Sequence, residues 1–122
     1  MIGMIKGTVG YGKQLGRTVG MPTANLITEA DVSDIKDGVY AVIAKARGGR
    51  YLGVTNIGRR PTVDEDAHRT IETYLLDFSE DIYGEELELE LHQYLRPIQK
   101  FANIEEVKKQ VEKDISQINI SL

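Results

Sequence analysis

Apolar and polar residues alternate along much of this chain, most cleanly at 86–91. There ELELEL sends Leu87, Leu89 and Leu91 to one side and Glu86, Glu88 and Glu90 to the other. A period of two marks a half-buried strand. Positions 4–11 and 23–27 have the look of short strands, and 38–47 (GVYAVIAKAR) and 50–57 (RYLGVTNI) are longer strand-like runs. Gly48-Gly49 joins the longer two as a tight hairpin loop, because glycine adopts positive φ without penalty. A further strand is predicted over 70–76 (TIETYLL), and Asp81-Ile82-Tyr83-Gly84 supplies the turn into the ELELEL strand. Positions 31–37 read as a polar connection. The period then changes. From Asn103, an N-cap with Glu106 three residues on, Ile104, Val107, Val111, Ile115 and Ile118 recur at helical spacing and predict an amphipathic helix over about 104–119. Without repeats, low-complexity stretches or linkers, the pattern predicts one mainly β domain over 1–122. It consists of about six mostly antiparallel strands within about 4–94, most simply a Greek-key barrel, closed by the C-terminal helix.

Composition narrows the classes. A chain of 122 residues buries roughly two-thirds of its unfolded surface and needs no covalent staple. It has no cysteine, which excludes disulfides, thiolate metal sites and cysteine nucleophiles and is compatible with a reducing cytosol. The opening MIGMIKGTVG lacks the apolar core of a secretory signal, and no apolar run approaches the ~18 residues of a membrane span. The expectation is a cytoplasmic protein with no membrane partner. Nineteen acidic against fifteen basic residues give a net charge of −4, which argues against a nucleic-acid partner, so any phosphate binding must be local.

Candidate chemistry concentrates in GKQLGRTVGMPTANL, positions 12–26. Gly12, Gly16 and Gly20 remove Cβ where a backbone turns tightly or approaches a ligand, and the N–H groups freed in such loops can cradle phosphate oxygens. Arg17 adds a fixed positive fork. If Pro22 starts an extended segment, Thr23 and Asn25 point the same way, and a hydroxyl beside an amide carbonyl suits a hard cation such as Mg²⁺ already carrying nucleotide phosphates. A plain turn between strands would use the same residues. The spacing is not that of a Walker A loop, which places four residues between its first Gly and Gly-Lys-Ser/Thr.

Elsewhere, Glu72 stands out as a carboxylate within Ile71, Thr73, Tyr74 and Leu75, sharing a strand face with Thr70 and Tyr74. A solvated strand face is the competing reading, since charged residues are mostly exposed. His68 and His92 have no second ligand at metal spacing, so a zinc site is not expected. His92 reads as solvent-facing or at an interface. Asp64, Glu65 and Asp66 read as an exposed loop. The polar run from Asn56 to Thr62 carries Arg59 and Arg60, which could neutralise phosphates or simply be solvated.

Taken in order, these pieces resemble the riboflavin kinase family. Gly7, Val9 and Gly12 lead into Gly16-Arg17, Gly20 and Pro22-Thr23-Ala24-Asn25. They are followed by Gly38-Val39-Tyr40, Gly53-Val54, Asn56-Ile57-Gly58 and Pro61-Thr62. Glu72, Leu76-Asp77-Phe78, Asp81, Tyr83-Gly84, Leu95-Arg96 and Lys100-Phe101 complete the match, which runs from about Lys6 to Asp114. The resemblance implies transfer of the ATP γ-phosphoryl group to the ribityl 5′-hydroxyl of riboflavin, giving FMN and ADP. Thr23 and Asn25 would then hold Mg²⁺ and the nucleotide phosphates, and Gly12, Gly16, Arg17, Gly20 and Pro22 would cover the nucleotide. Glu72 would accept the hydroxyl proton, with Arg96, Asn56 and Thr62 on the flavin side. Two positions depart from the family pattern: Tyr74 stands where a His is common, and Ile98 where an acidic residue is usual. Many bacterial relatives also carry an adenylyltransferase with an HxGH signature, which this chain lacks, so it reads as a standalone kinase or as the kinase part of a longer protein. The competing class is a flavin- or nucleotide-binding barrel without turnover, to which an aligned base and metal pair would be superfluous.

Overall fold

A computed structural model describes residues 1–10, 23–29, 31–59, 69–78 and 80–122. Six strands are β1 (Gly3–Gly10), β2 (Thr23–Ile27), β3 (Gly38–Ala46), β4 (Gly49–Arg59), β5 (Arg69–Leu75) and β6 (Glu86–Arg96), followed by helix α1 (Ile104–Ser116). They close into a barrel in the order β1-β2-β5-β4-β3-β6, with every neighbouring pair antiparallel. Strands β3, β4 and β5 form a meander, and β2 returns to lie beside β5, which is the Greek-key arrangement the sequence predicts. Among the described strands, closure leaves no open edge.

Alternation decides what fills the barrel. Ile5, Val42, Ile57, Ile71, Leu87, Leu89 and Leu91 point inward and are buried, as the strand pattern requires. Thr55 and Thr73 are also fully buried, and their hydroxyls bond each other at 2.8 Å across β4 and β5, so neither is left unsatisfied in the core. Strand β3 is buried on both faces: Val39, Ala41 and Ile43 point outward yet are 0–3% exposed. Their partners on β6 include Arg96 and Gln93, and both of these bond α1 or the chain just after it. The helix and tail therefore cover this side of the barrel.

Most boundaries shift by a residue or two from the sequence reading, and two of the shifts have a clear physical cause. The β3–β4 loop is Arg47-Gly48, one residue earlier than Gly48-Gly49, because Ala46 pairs with Gly49. Arg47 and Gly48 have φ of 49° and 77°, the two positive values of a type I′ turn. Arg47 tolerates this conformation where its side chain is held by the Glu85 carboxylate at 2.8 Å, the Glu80 carboxylate and the Asp81 carbonyl. Strand β6 continues to Arg96, beyond the expected limit near 94, because Gln93, Tyr94 and Arg96 still pair with β3 through two register shifts. Those irregularities break the period without ending the strand.

Helix α1 begins as predicted. The Asn103 side chain accepts from the Glu106 N–H at 2.9 Å, and the Glu106 carboxylate accepts from the Ala102 N–H at 3.0 Å. It stops at Ser116 with Gln117 as C-cap, so Ile118 lies past its end. Among the described residues no helix is long and apolar enough to cross a membrane.

Candidate functional site

The outward faces of β2, β5 and β4 bring three polar side chains into one row. Asn25 pairs with Glu72, and Glu72 pairs with Asn56; residues directly opposite on adjacent strands share a face. One step along, Thr23 pairs with Tyr74, and Tyr74 pairs with Val54. Glu72 faces outward because Ile71 and Thr73 on either side of it face the core, at 3% and 0% exposure.

Glu72 and Asn56 of this row lie on the floor of a cavity of about 260 Å³ between the barrel and α1. Thr23, Asn56, Thr70, Glu72 and Tyr74 line the floor. Val107, Val111 and Asp114 of α1 form the opposite wall, and Arg96, Ile98 and Phe101 from the end of β6 and the following segment close one end. Ile98 lies against Gly58, where a Cβ would sit 3.2 Å from its Cγ1. An apolar slot with a carboxylate, hydroxyls and an amide along one side suits a planar aromatic ligand bearing a polar tail.

The end wall is held by charge. Arg96 donates from Nε to Asp114 Oδ1 at 2.8 Å and from a terminal nitrogen to Oδ2 at 2.9 Å. Gln110 donates to the same Oδ1 at 2.9 Å. Asp114 is 1% exposed and is the single buried charged side chain among the described residues. Arg96 also donates to the Pro97 carbonyl at 3.2 Å and lies 5.8 Å from the centre of the Phe101 ring. Its fork is thus turned toward the helix.

Of the residues singled out from sequence, Glu72, Thr23, Asn56 and Arg96 line this cavity; Asn25 pairs with Glu72 on the neighbouring strand but is not among the lining residues. Gly12, Gly16, Arg17, Gly20, Pro22 and Thr62 lie outside the described residues, as do His68 and the acidic run 64–66. His92 is partly exposed and bonds Glu90 at 3.2 Å. Among the described residues no group of three or more His, Cys, Asp and Glu could cage a metal ion. Sequence reasoning missed Asp114, which sits on the same helical stripe as Val107 and Val111. An acid on an apolar stripe is the signal that could have found it.

A family model described as riboflavin kinase matches residues 3–122. The chain is 44% identical over 113 residues to the RNA-binding riboflavin kinase RibR of Bacillus subtilis, covering 93% of this chain and 48% of that protein. It is 45% identical over 109 residues to the bifunctional riboflavin kinase/FMN adenylyltransferase of Listeria monocytogenes, covering 89% and 35%. Among solved structures it resembles one described as a macrolide-efflux protein from Streptococcus pneumoniae, with a TM-score of 0.84 at 30% identity, over 93% of this chain and 37% of that one. The chain spans about half or less of the length of these curated relatives.

Proposed function

Because the chain belongs to the riboflavin kinase family, we propose that it transfers the γ-phosphoryl group of ATP to the ribityl 5′-hydroxyl of riboflavin, giving FMN and ADP. The observation that carries this reading is Glu72, a carboxylate set between Asn25 and Asn56 on the floor of a cavity with apolar walls. The flavin ring system occupies the slot between Val54 and Tyr74 on the barrel and Val107 and Val111 on α1. Its ribityl chain then runs along the polar row, with Asn56 and the Arg96 end of the cavity on the flavin side.

The chemistry needs three things from these residues. Glu72 takes the proton of the 5′-hydroxyl as that oxygen bonds to the γ-phosphorus, while the bond from the γ-phosphorus to the bridging oxygen breaks and ADP leaves. Thr23 and Asn25 offer neutral oxygens on the face that carries Glu72, a donor set suited to Mg²⁺ that arrives with ATP and has its charge met by phosphate oxygens. Mg²⁺ held by Thr23 and Asn25 would supply charge neutralisation at the phosphates. The rest is positioning, since phosphoryl transfer gains most from alignment and charge neutralisation. Gly12, Gly16, Arg17, Gly20 and Pro22 on the nucleotide side and Thr62 on the flavin side are assigned by the family resemblance alone, since they lie outside the described residues.

The test is direct. The chain is incubated with riboflavin and MgATP, or with MgCTP, and FMN is followed by chromatography. FMN formation that requires the nucleotide supports the kinase reading. Riboflavin binding with no FMN from either donor identifies a binding barrel instead.

A further inference from the structure

Helix α1 forms one wall of the cavity, yet among the described residues its side-chain hydrogen bonds to the barrel run to a single strand. Arg96 of β6 grips Asp114 with two bonds of 2.8 and 2.9 Å. Three positions back on the same strand, Gln93 donates to the Gln117 carbonyl at 2.9 Å and accepts from the Asn119 N–H at 2.8 Å. Toward β4 and β5 the helix presents Val107 and Val111 across the cavity. The wall is therefore fastened along one edge by polar clasps and faces the barrel across the slot on the other.

Asp114 is the stronger of the two fastenings. It is 1% exposed, and its carboxylate takes the Arg96 fork and the Gln110 amide together. A buried carboxylate is retained only if charge and hydrogen bonds offset its lost hydration, and a bidentate guanidinium fixes direction as well as distance. The same pairing fixes Arg96, which lies over the Phe101 ring at the end of the slot. One acid thus sets both the long wall and the end wall.

We propose that Asp114 is a positioning residue for the flavin: through Arg96 it holds α1 and Phe101 at the spacing that fits a planar ring system. This rests on the kinase reading for the identity of the ligand. Loss of the clasp acts on the ring side of the cavity and leaves the Thr23–Asn25 side untouched, so riboflavin and nucleotide binding separate.

Riboflavin Kd is measured by quenching of flavin fluorescence, and KM for riboflavin and for MgATP by FMN formation, in the wild-type chain, Asp114→Asn and Gln110→Ala. Asp114→Asn is expected to raise riboflavin Kd and KM about tenfold, because it loses one of two charge-assisted bonds, with KM for MgATP within about twofold. Gln110→Ala removes only the helper bond, and a rise of about threefold is expected on the same ground. It decides the matter if Asp114→Asn does not fold. A folded variant that loses thermal stability but binds riboflavin as wild type does overturns the proposal. So does tighter binding, which would mean that Asp114 withholds Arg96 from the ligand. Wild-type binding without FMN formation overturns the kinase reading alone, and the Kd series still tests the clasp; no riboflavin binding by the wild type overturns both.

Discussion

Glu72 owes its place to alternation: Ile71 and Thr73 are committed to the core, so the carboxylate between them must face out, where α1 roofs it. A primary alcohol has a pKa far above neutrality, and a positioned base contributes ~10²- to 10⁴-fold to such a transfer. Glu72→Gln keeps shape and cannot take the proton, so kcat is expected to fall by that factor while riboflavin and nucleotide affinities stay within a few-fold. A solvated Glu instead predicts stability within about ±0.5 kcal/mol and normal turnover; near-normal kcat removes Glu72 from the mechanism. Thr23→Ala and Asn25→Ala act on the other substrate. Each is expected to weaken Mg²⁺-dependent use of ATP far more than riboflavin binding, and wild-type turnover at limiting Mg²⁺ by either variant sinks that assignment. Glu72 was legible in the sequence because an acid interrupts an apolar strand. Asp114 carries the same signal on a helix, but its partner Arg96 lies 18 residues away, and only folding joins them.

Strands and helix were legible wherever one face meets the core and the other meets solvent or the cavity, as in β2, β5, the first half of β6 and the start of α1. Legibility failed at the β3–β4 turn, where Arg47 adopts φ of 49° although glycine stands at both following positions. The reason is tertiary: the Arg47 guanidinium binds Glu85 and Glu80 from the connection before β6, and no local rule anticipates that. The Arg47 hydrogen bond holds the partly exposed Glu85 carboxyl below its usual range. A lowered folded pKa gives stability that is present above the ordinary value of 4.5 and lost as pH falls through the folded value. Arg47→Ala is therefore expected to lower Tm at neutral pH, with the gap to wild type narrowing below about pH 4 as Glu85 takes up its proton in both states. A gap that stays constant down to pH 2 would assign the whole effect to the turn backbone. The cavity was not legible at this scale, because its lining comes from β2, β4, β5, the end of β6 and α1.

The molecule as a whole is a closed barrel with its candidate site on the outside. Each described strand is paired on both sides, and its inward residues form one continuous core, so the barrel opens as a unit. Helix α1 is tied to β6 through Arg96–Asp114, and Gln93 bonds the chain just after it; across the cavity it faces β4 and β5. Few buried contacts mean a lower free energy of local opening. In the free chain, amides of α1 are accordingly expected to exchange with solvent faster than those of β3 and β6. Riboflavin is expected to change this, because on the proposed placement opening the helix destroys the site and releases the ligand. At a ligand concentration of a hundred times Kd, the opening becomes less favourable by about 2.7 kcal/mol, roughly a hundredfold slowing of exchange. Hydrogen exchange read by mass spectrometry or NMR, with and without riboflavin, measures both quantities. Equal rates in α1 and the barrel of the free chain would show that the helix opens only with the whole fold. Unchanged exchange in α1 at saturating riboflavin would place the flavin somewhere other than the slot beneath the helix.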